Sequence, residues 1–390
     1  MIKTLLNIIK KIIEIKNVDK TYKRLRRHLN KMPVGFPSTF SGVELRILKT
    51  MFSVDDALLA LNLDYKFKTI DEIHTIQKDT GLSADELHNR LSGMGKSGAI
   101  LVKEKNGTKL FALVPLIVGM YELQTDTLKT GYYLNIREYV SKIFAIEYLS
   151  TAVPQSRIIP VEKSITPDIK TANYDEIRSL VMSSNKSICV AECICRKGKD
   201  LLGEPCSVTD RRELCLYFQE FGDTFAENNW GREVSKEEAL EILDQSQKEG
   251  LVLQPSNEQE PQFICACCGC CCGLLEMVRA MPRPANFVAS NYYAKNISDL
   301  CKGCTKCVDI CQMDAIKMKD TTAVIDQSKC IGCGVCVAAC KFESLSMVKK
   351  QQEIIPPQTT EELYDFIMKN KKTGIKKYAG LLSKMLSPGI

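Results

Sequence analysis

Residues 301–312, CKGCTKCVDICQ, and residues 330–341, CIGCGVCVAACK, share one spacing, C-x2-C-x2-C-x3-C, repeated after 29 residues. Three thiolates set two residues apart can wrap three corners of a cube of iron and sulfide, because the short loops turn backbone amides toward it. The fourth cysteine lies on a helix aimed at the neighbouring cluster. The spacing therefore predicts one 4Fe-4S cluster on Cys301, Cys304, Cys307 and Cys340, and a second on Cys330, Cys333, Cys336 and Cys311. Zinc would be satisfied by two C-x2-C pairs and would leave half of these thiols idle. The intervening AIKMKDTTAVID reads as a hairpin between the two halves. The proline expected after each fourth cysteine is replaced by Gln312 and Lys341. A cation beside Cys340 favours the reduced, more negative state of its cluster.

The other eleven of the 19 cysteines lie upstream: Cys189, Cys193, Cys195, Cys206, Cys215 and six in the stretch FICACCGCCC, namely Cys265, Cys267, Cys268, Cys270, Cys271 and Cys272. An odd cysteine count in a 390-residue chain with 45% hydrophobic residues does not suit a disulfide scaffold, since a core of ordinary size is available. Crowded metal-free thiols would oxidise readily and repel one another as thiolates, so metal is the economical explanation. Cys189 sits in an apolar run and reads as a buried free thiol. The other ten suffice for one or two further 4Fe-4S clusters. One division places Cys193, Cys195, Cys206 and Cys215 together and draws the other set from the dense loop, and the pairing could cross between them. A larger cluster, suggested by the repeated Cys-Cys-Gly, and a zinc site are the lesser options. Gly269 and Gly273 would let the backbone approach sulfide closely.

No cysteine precedes Cys189, and all three histidines (His28, His74, His88) lie in that front half. Gly42 to Ser53 has apolar residues at helical spacing, and Ser53 caps a second helix. TIDEIHTIQKDTG predicts a helix ending at Gly81, then Ser83 and Glu86 form a capping box for another. The β-rich runs around Asn106-Gly107 predict a hairpin. This order is that of a winged helix-turn-helix. A DNA-binding reading would use Arg90, Lys96, Lys103 and Lys105 on phosphates, but Asp85 and Glu86 put negative charge where base edges would be approached. Residues 1–150 hold 23 Lys/Arg against 16 Asp/Glu, a surplus that a solvated surface also explains. GMGKSG (Gly93 to Gly98) fails both as a dinucleotide motif and as a phosphate loop, and reads as a glycine-rich helix end.

The opening residues MIKTLLNIIKKIIEIK read as an amphipathic helix with Leu5, Leu6, Ile9, Ile12 and Ile13 on one face, interrupted by lysines unlike a secretory leader. Residues 131–149 read as a helical connection, and the stretch with Pro154, Pro160 and Pro167 as an extended linker. Residues from Ser187 read as a buried strand, residues 235–250 as a helix capped by Ser235, and the tail as a helix near Thr360 followed by a basic stretch. The expected fold class is α+β in four parts: a winged helix-turn-helix region (1–150), a linker and cysteine-rich α+β segment (151–290), a bacterial two-cluster 4Fe-4S ferredoxin-like domain (291–350) and a helical basic tail (351–390).

The chain resembles a family of ferredoxin-type 4Fe-4S dicluster proteins of anaerobes with an N-terminal winged-helix region. The resemblance spans roughly residues 20–350 and rests on GFPSTFSGVEL (Gly35 to Leu45), LVPLIVGMYELQ (Leu113 to Gln124), CICR (Cys193 to Arg196), CACCGCCCGLLE and NFVASNYYAKNISDLCKGC. It implies cytoplasmic electron transfer beside an oxidoreductase in anaerobic metabolism. The expected function is thus a non-catalytic iron–sulfur electron-transfer protein or subunit with an oxidoreductase partner, and self-association is open to it. The rivals are a redox-sensing winged-helix regulator, with DNA as the lesser partner, and an enzyme whose cluster has an open iron site. No nucleophile triad, catalytic carboxylate pair or flavin or nicotinamide motif stands out, and no run of 18 apolar residues would span a bilayer.

Overall fold

The computed structural model describes residues 17–76, 81–166, 169 and 171–387, which form two compact units divided between Tyr148 and Leu149. The expected amphipathic helix with Leu5, Leu6, Ile9, Ile12 and Ile13 lies outside the described residues.

In the first unit, helix α1 (17–29) is followed by α2 (Val43–Met51), α3 (Val54–Ala60), α4 (Ile70–Ile76), α5 (Ala84–Lys96), hairpin strands β1 (Leu101–Lys105) and β2 (Thr108–Ala112), and α6 (Thr130–Tyr139). Local chemistry sets these boundaries. Ser53 accepts a hydrogen bond from the Asp56 amide to start α3, and Ser83 and Glu86 cap α5 reciprocally. Asn106 and Gly107 both take positive φ, 53° and 76°, as the tight turn pairing Lys105 with Thr108 demands. Lys68 bridges to Phe111 and adds a third extended segment to the hairpin. Residues 77–80 of the helix expected to reach Gly81 lie outside the described residues.

The second unit is built around a five-stranded antiparallel sheet of order β5-β3-β4-β7-β6. Its strands are β3 (Ile188–Glu192), β4 (Glu213–Tyr217), β5 (Arg232–Val234), β6 (Val252–Pro255) and β7 (Phe263–Cys267). Helices α7 (Ile177–Met182), α8 (Ile194–Asp200), α9 (Gln219–Glu227), α10 (Lys236–Lys248) and α11 (Gly273–Arg279) connect and flank them. Ser235 caps α10 through the Glu238 amide, as expected. The central strands β3 and β4 are buried almost throughout, which is why the run from Ser187 reads as a continuous apolar stretch rather than an alternating one.

After α11, β8 (Tyr292–Asn296) pairs with the distant β11 (Leu345–Lys349). Between them lie α12 (Lys306–Asp309), the hairpin β9 (Ile316–Lys319) and β10 (Thr322–Ile325), and α13 (Val335–Ala339). Tyr292, Ala294, Ile316, Ala323, Cys336, Leu345 and Met347 form a small core on which Cys301, Cys307, Cys311, Cys330 and Cys340 pack. Helices α14 (Thr360–Lys369) and α15 (Gly374–Leu386) end the described chain; α14 is capped by Thr359, one residue before the Thr360 expected to open it.

The stretch around Pro154 and Pro160 departs from its reading as a linker. It is extended, but Ser156, Arg157 and Ile159 bridge to Ser256, Ala289 and Leu253, and Ile158, Ile159 and Val161 are buried. Prolines suit an edge segment that spends few amides on a ladder, so composition resembling a solvated tether belongs instead to a strap laid along β6. No helix among the described residues is long and apolar enough to cross a membrane.

Candidate metal centres

The downstream repeat folds into two cages. One cavity is lined by Cys311, Cys330, Cys333 and Cys336 among Ala294, Ile316, Ile325 and Ile331. The other is lined by Cys301, Cys304, Cys307 and Cys340. The fourth cysteine of each motif thus sits with the first three of the other, the exchange that the spacing predicts. Backbone amides point at the sulfurs: Ala294 N lies 3.5 Å from Cys330 Sγ, and Ala315 N 3.4 Å from Cys311 Sγ. The loops depend on glycine where the chain turns hardest. Gly332 has φ +76°, and a Cβ there would lie 2.1 Å from the carbonyl oxygen of Tyr292. The strap supports the same loop, since Val161 N donates to Cys333 O at 3.0 Å. The donor set fits a cubane in each cage, and the directed amides and the glycine cradle fit one in the cage of Cys311, Cys330, Cys333 and Cys336.

The two cages differ in exposure. Cys304 is exposed, whereas Cys336 is buried. Burial raises the thiols of Cys333 and Cys336, Cys333 to about 12, as expected for sulfurs sealed away from water without a cation.

Upstream, ten cysteines divide into two groups, and the division crosses the simplest one that the sequence offers. Cys206 leaves the set of Cys193, Cys195 and Cys215 and joins Cys268, Cys270 and Cys271 of the dense loop. Its Sγ lies 3.6 Å from that of Cys268 and 3.7 Å from that of Cys270, while Cys270 lies 3.4 Å from Cys268 and 3.6 Å from Cys271. Among the described residues these four are the one set of three or more metal-ligating side chains whose donor atoms all lie within 4.8 Å of one another.

The other six are linked in a closed circuit by the neighbour interactions that shift their thiols. Cys193 joins Cys195 and Cys215, Cys195 joins Cys272, Cys272 joins Cys267, Cys267 joins Cys265, and Cys265 returns to Cys215. Sheet register builds half of it, because Cys215 on β4 stands directly opposite Cys265 on β7, and alternation puts Cys267 on the same face. Cys193 and Cys272 each precede a helix, α8 and α11. Hydrogen bonds from their neighbours pull both of these thiols well below the usual range, and the remaining four are pushed up.

Arg196 lies between the two groups at 1% exposure. Its Nη1 donates to Ala266 O at 3.0 Å and its Nη2 to Cys268 Sγ at 3.2 Å, while its Nε has no hydrogen-bond partner. Hydrogen bonding from Cys271, with the Arg196 charge behind it, holds Cys268 down at about 5 against the opposing effect of burial. A buried guanidinium with an orphaned donor among thiols fits a site whose sulfurs become charged acceptors when metal is bound. Cys189 differs from all ten: it is buried opposite Tyr217, and burial raises its thiol to about 11, the state of an inert structural cysteine.

Sequence reasoning passes over Gln312. Its side-chain oxygen accepts from Gly269 N at 2.8 Å and its amide donates to Gly250 O at 3.1 Å. The residue that replaces proline after Cys311 thereby ties the downstream motif to the dense upstream loop. The only available signal was its departure from the motif. Arg90, a candidate phosphate contact, is held instead by Asp55 at 3.0 Å and Asp56 at 2.8 Å. Lys103 lies 4.0 Å over the Phe67 ring.

Residues 300–344 match the family model of the 4Fe-4S dicluster domain. With the two cages and the further cysteines, this makes the protein an iron–sulfur protein of mixed α and β structure with a ferredoxin-like region. Comparison with curated proteins and with solved structures gave no match.

Proposed function

We propose that the protein is an electron-transfer component that takes single electrons from, or delivers them to, a partner oxidoreductase in the cytoplasm of an anaerobe. When bound, each cubane accepts and returns one electron with little rearrangement. The chain's own residues hold the thiolates in fixed loops, aim amides at them and keep water from the deeper cage. The exchange of Cys311 and Cys340 between the cages carries the reading, because it sets two four-thiol cages side by side. Exposed Cys304 marks the cage nearer the surface as the partner-facing one. The deeper cage adjoins the upstream thiols through Gln312 and Gly269, and the six-cysteine ring is our candidate for a further iron–sulfur centre.

In this reading the four parts run 1–150, 151–290, 291–350 and 351–390, with the strap now counted as part of the cysteine-rich domain's packing. The front helices and hairpin serve as a winged-helix docking module. The engagement of Arg90 and Lys103 within the fold favours protein over DNA as what it meets. Protein purified without oxygen should carry about eight irons in the two cages, with more upstream, and show one-electron signals in spin-resonance titration. Equal iron and sulfide with no reversible signal, or fewer than about eight irons at full occupancy, would refute the proposal.

A further inference from the structure

The four thiols of Cys206, Cys268, Cys270 and Cys271 differ from those of the two cages in one decisive way: their sulfurs touch. A cubane holds its thiolates on separate irons around a body of sulfide, so its ligands stand apart around a space. The downstream sets do this, lining cavities, and neither meets the mutual 4.8 Å spacing of the Cys206 set. Ligands that share a single ion lie closer. With metal–sulfur bonds of about 2.3 Å, a tetrahedron has edges of about 3.8 Å. Four of the six sulfur–sulfur separations, 3.4, 3.6, 3.6 and 3.7 Å, fall near that edge.

The surroundings are built as well. Cys268 and Cys271 are buried beside Cys206. Arg196, fully enclosed, donates to Cys268 at 3.2 Å, and Ser207 hydrogen-bonds Cys270. Such outer donors fix thiolate ligands and offset their charge. Loop geometry brings Cys268, Cys270 and Cys271 from one turn, so Cys206, which lies in the connection between α8 and β4, is the residue that closes the site.

We infer that Cys206, Cys268, Cys270 and Cys271 hold one tetrahedral divalent ion rather than a cluster. Zinc and ferrous iron share this all-thiolate chemistry. Each thiol that ligates gives up its proton to solvent. The ion fastens the connection after α8 to the loop on which Gln312 rests, and so steadies the seam between the upstream sheet and the downstream cages. The inference goes beyond the electron-transfer proposal and does not depend on it.

The test uses the full chain purified without oxygen, comparing the wild type with a Cys206→Ser/Cys270→Ser double variant by metal and sulfide analysis. The expected result is loss of one metal ion per chain with sulfide unchanged. Zinc lost in that step identifies zinc; iron lost together with the mononuclear high-spin ferric signal that a one-electron chemical oxidant raises in the wild type identifies iron. Loss of about four irons with about four sulfides would show a cubane and overturn the inference, as would a variant that keeps every metal. Should the double variant fail to fold, Cys206→His retains a ligand. X-ray absorption should then show nitrogen entering a sulfur shell at about 2.3 Å, and an unchanged all-sulfur shell overturns the inference. The iron and sulfide of the downstream cages stay constant in every arm, and their absence from the wild type would count against the electron-transfer proposal alone.

Discussion

Gln312 and Lys341 occupy equivalent positions after the two fourth cysteines, yet they act differently. Gln312 is half-buried and makes two hydrogen bonds across the seam, to Gly269 and Gly250. Gln312→Ala should cost about 1–3 kcal/mol, from two bonds lost and two backbone groups left short of partners. A lower anaerobic denaturation midpoint would register this, and an unchanged midpoint would mean that water replaces the side chain at no cost. Lys341 is exposed, so its effect is electrostatic and screened. Its charge stabilises the reduced state of the cluster that Cys340 serves, so Lys341→Glu should lower that cluster's potential by roughly 20–40 mV, the equivalent of about 0.5–1 kcal/mol. A potential that stays put, or rises, in a spin-resonance titration would contradict this sign.

Elements that the sequence makes legible are those whose causes are local. The capping serines, the Asn106-Gly107 turn and the C-x2-C-x2-C-x3-C loops each write their geometry within a few residues. The exchange of Cys311 and Cys340 was legible too, because the motif carries its own partner. The six-thiol ring was not. It depends on Cys215 facing Cys265, a register between strands nearly fifty residues apart that no local pattern records. The group that Cys206 joins stayed open for the same reason, since proximity in sequence to Cys195 and Cys215 says nothing about which face of the sheet a loop reaches. The strap was misread because prolines mark an edge segment and a tether alike. Among the local devices, the loop at Gly332 gives the sharpest prediction. A Cβ would meet the carbonyl of Tyr292 on β8, which is fixed by its ladder to β11, and φ of +76° strains any other residue. Gly332→Ala should therefore cost the cage of Cys330, Cys333 and Cys336 its iron, about four per chain. Iron analysis showing full occupancy would mean that the backbone yields.

At the scale of the second unit, buried charge binds the strap, the sheet and the tail together. Arg157 donates from Nη1 to Ser256 O at 3.0 Å and to Glu258 O at 3.2 Å, and its Nε lies 3.7 Å from Asp175. Asn291 donates to Asp175 at 2.7 Å, and Thr360, at the start of α14, donates to Glu258 at 3.2 Å. Segments far apart in sequence thus meet at one polar knot inside an apolar unit, where an unmatched charge is costly. Glu258 is the unmatched member: its Oε2 has no partner, and burial raises its carboxyl to about 7. The folded protein holds this proton where the unfolded chain, with the ordinary value of 4.5, has released it. Folding thus binds a proton in that interval, so stability falls as pH rises from about 4.5 and levels off above about 7. Glu258→Gln cannot ionise and escapes this loss. Its stability relative to the wild type should rise between pH 5 and pH 8.5 by up to ~3 kcal/mol. Anaerobic denaturation midpoints of both proteins at the two pH values measure the change, and a gap independent of pH would mean that Glu258 keeps one protonation state throughout.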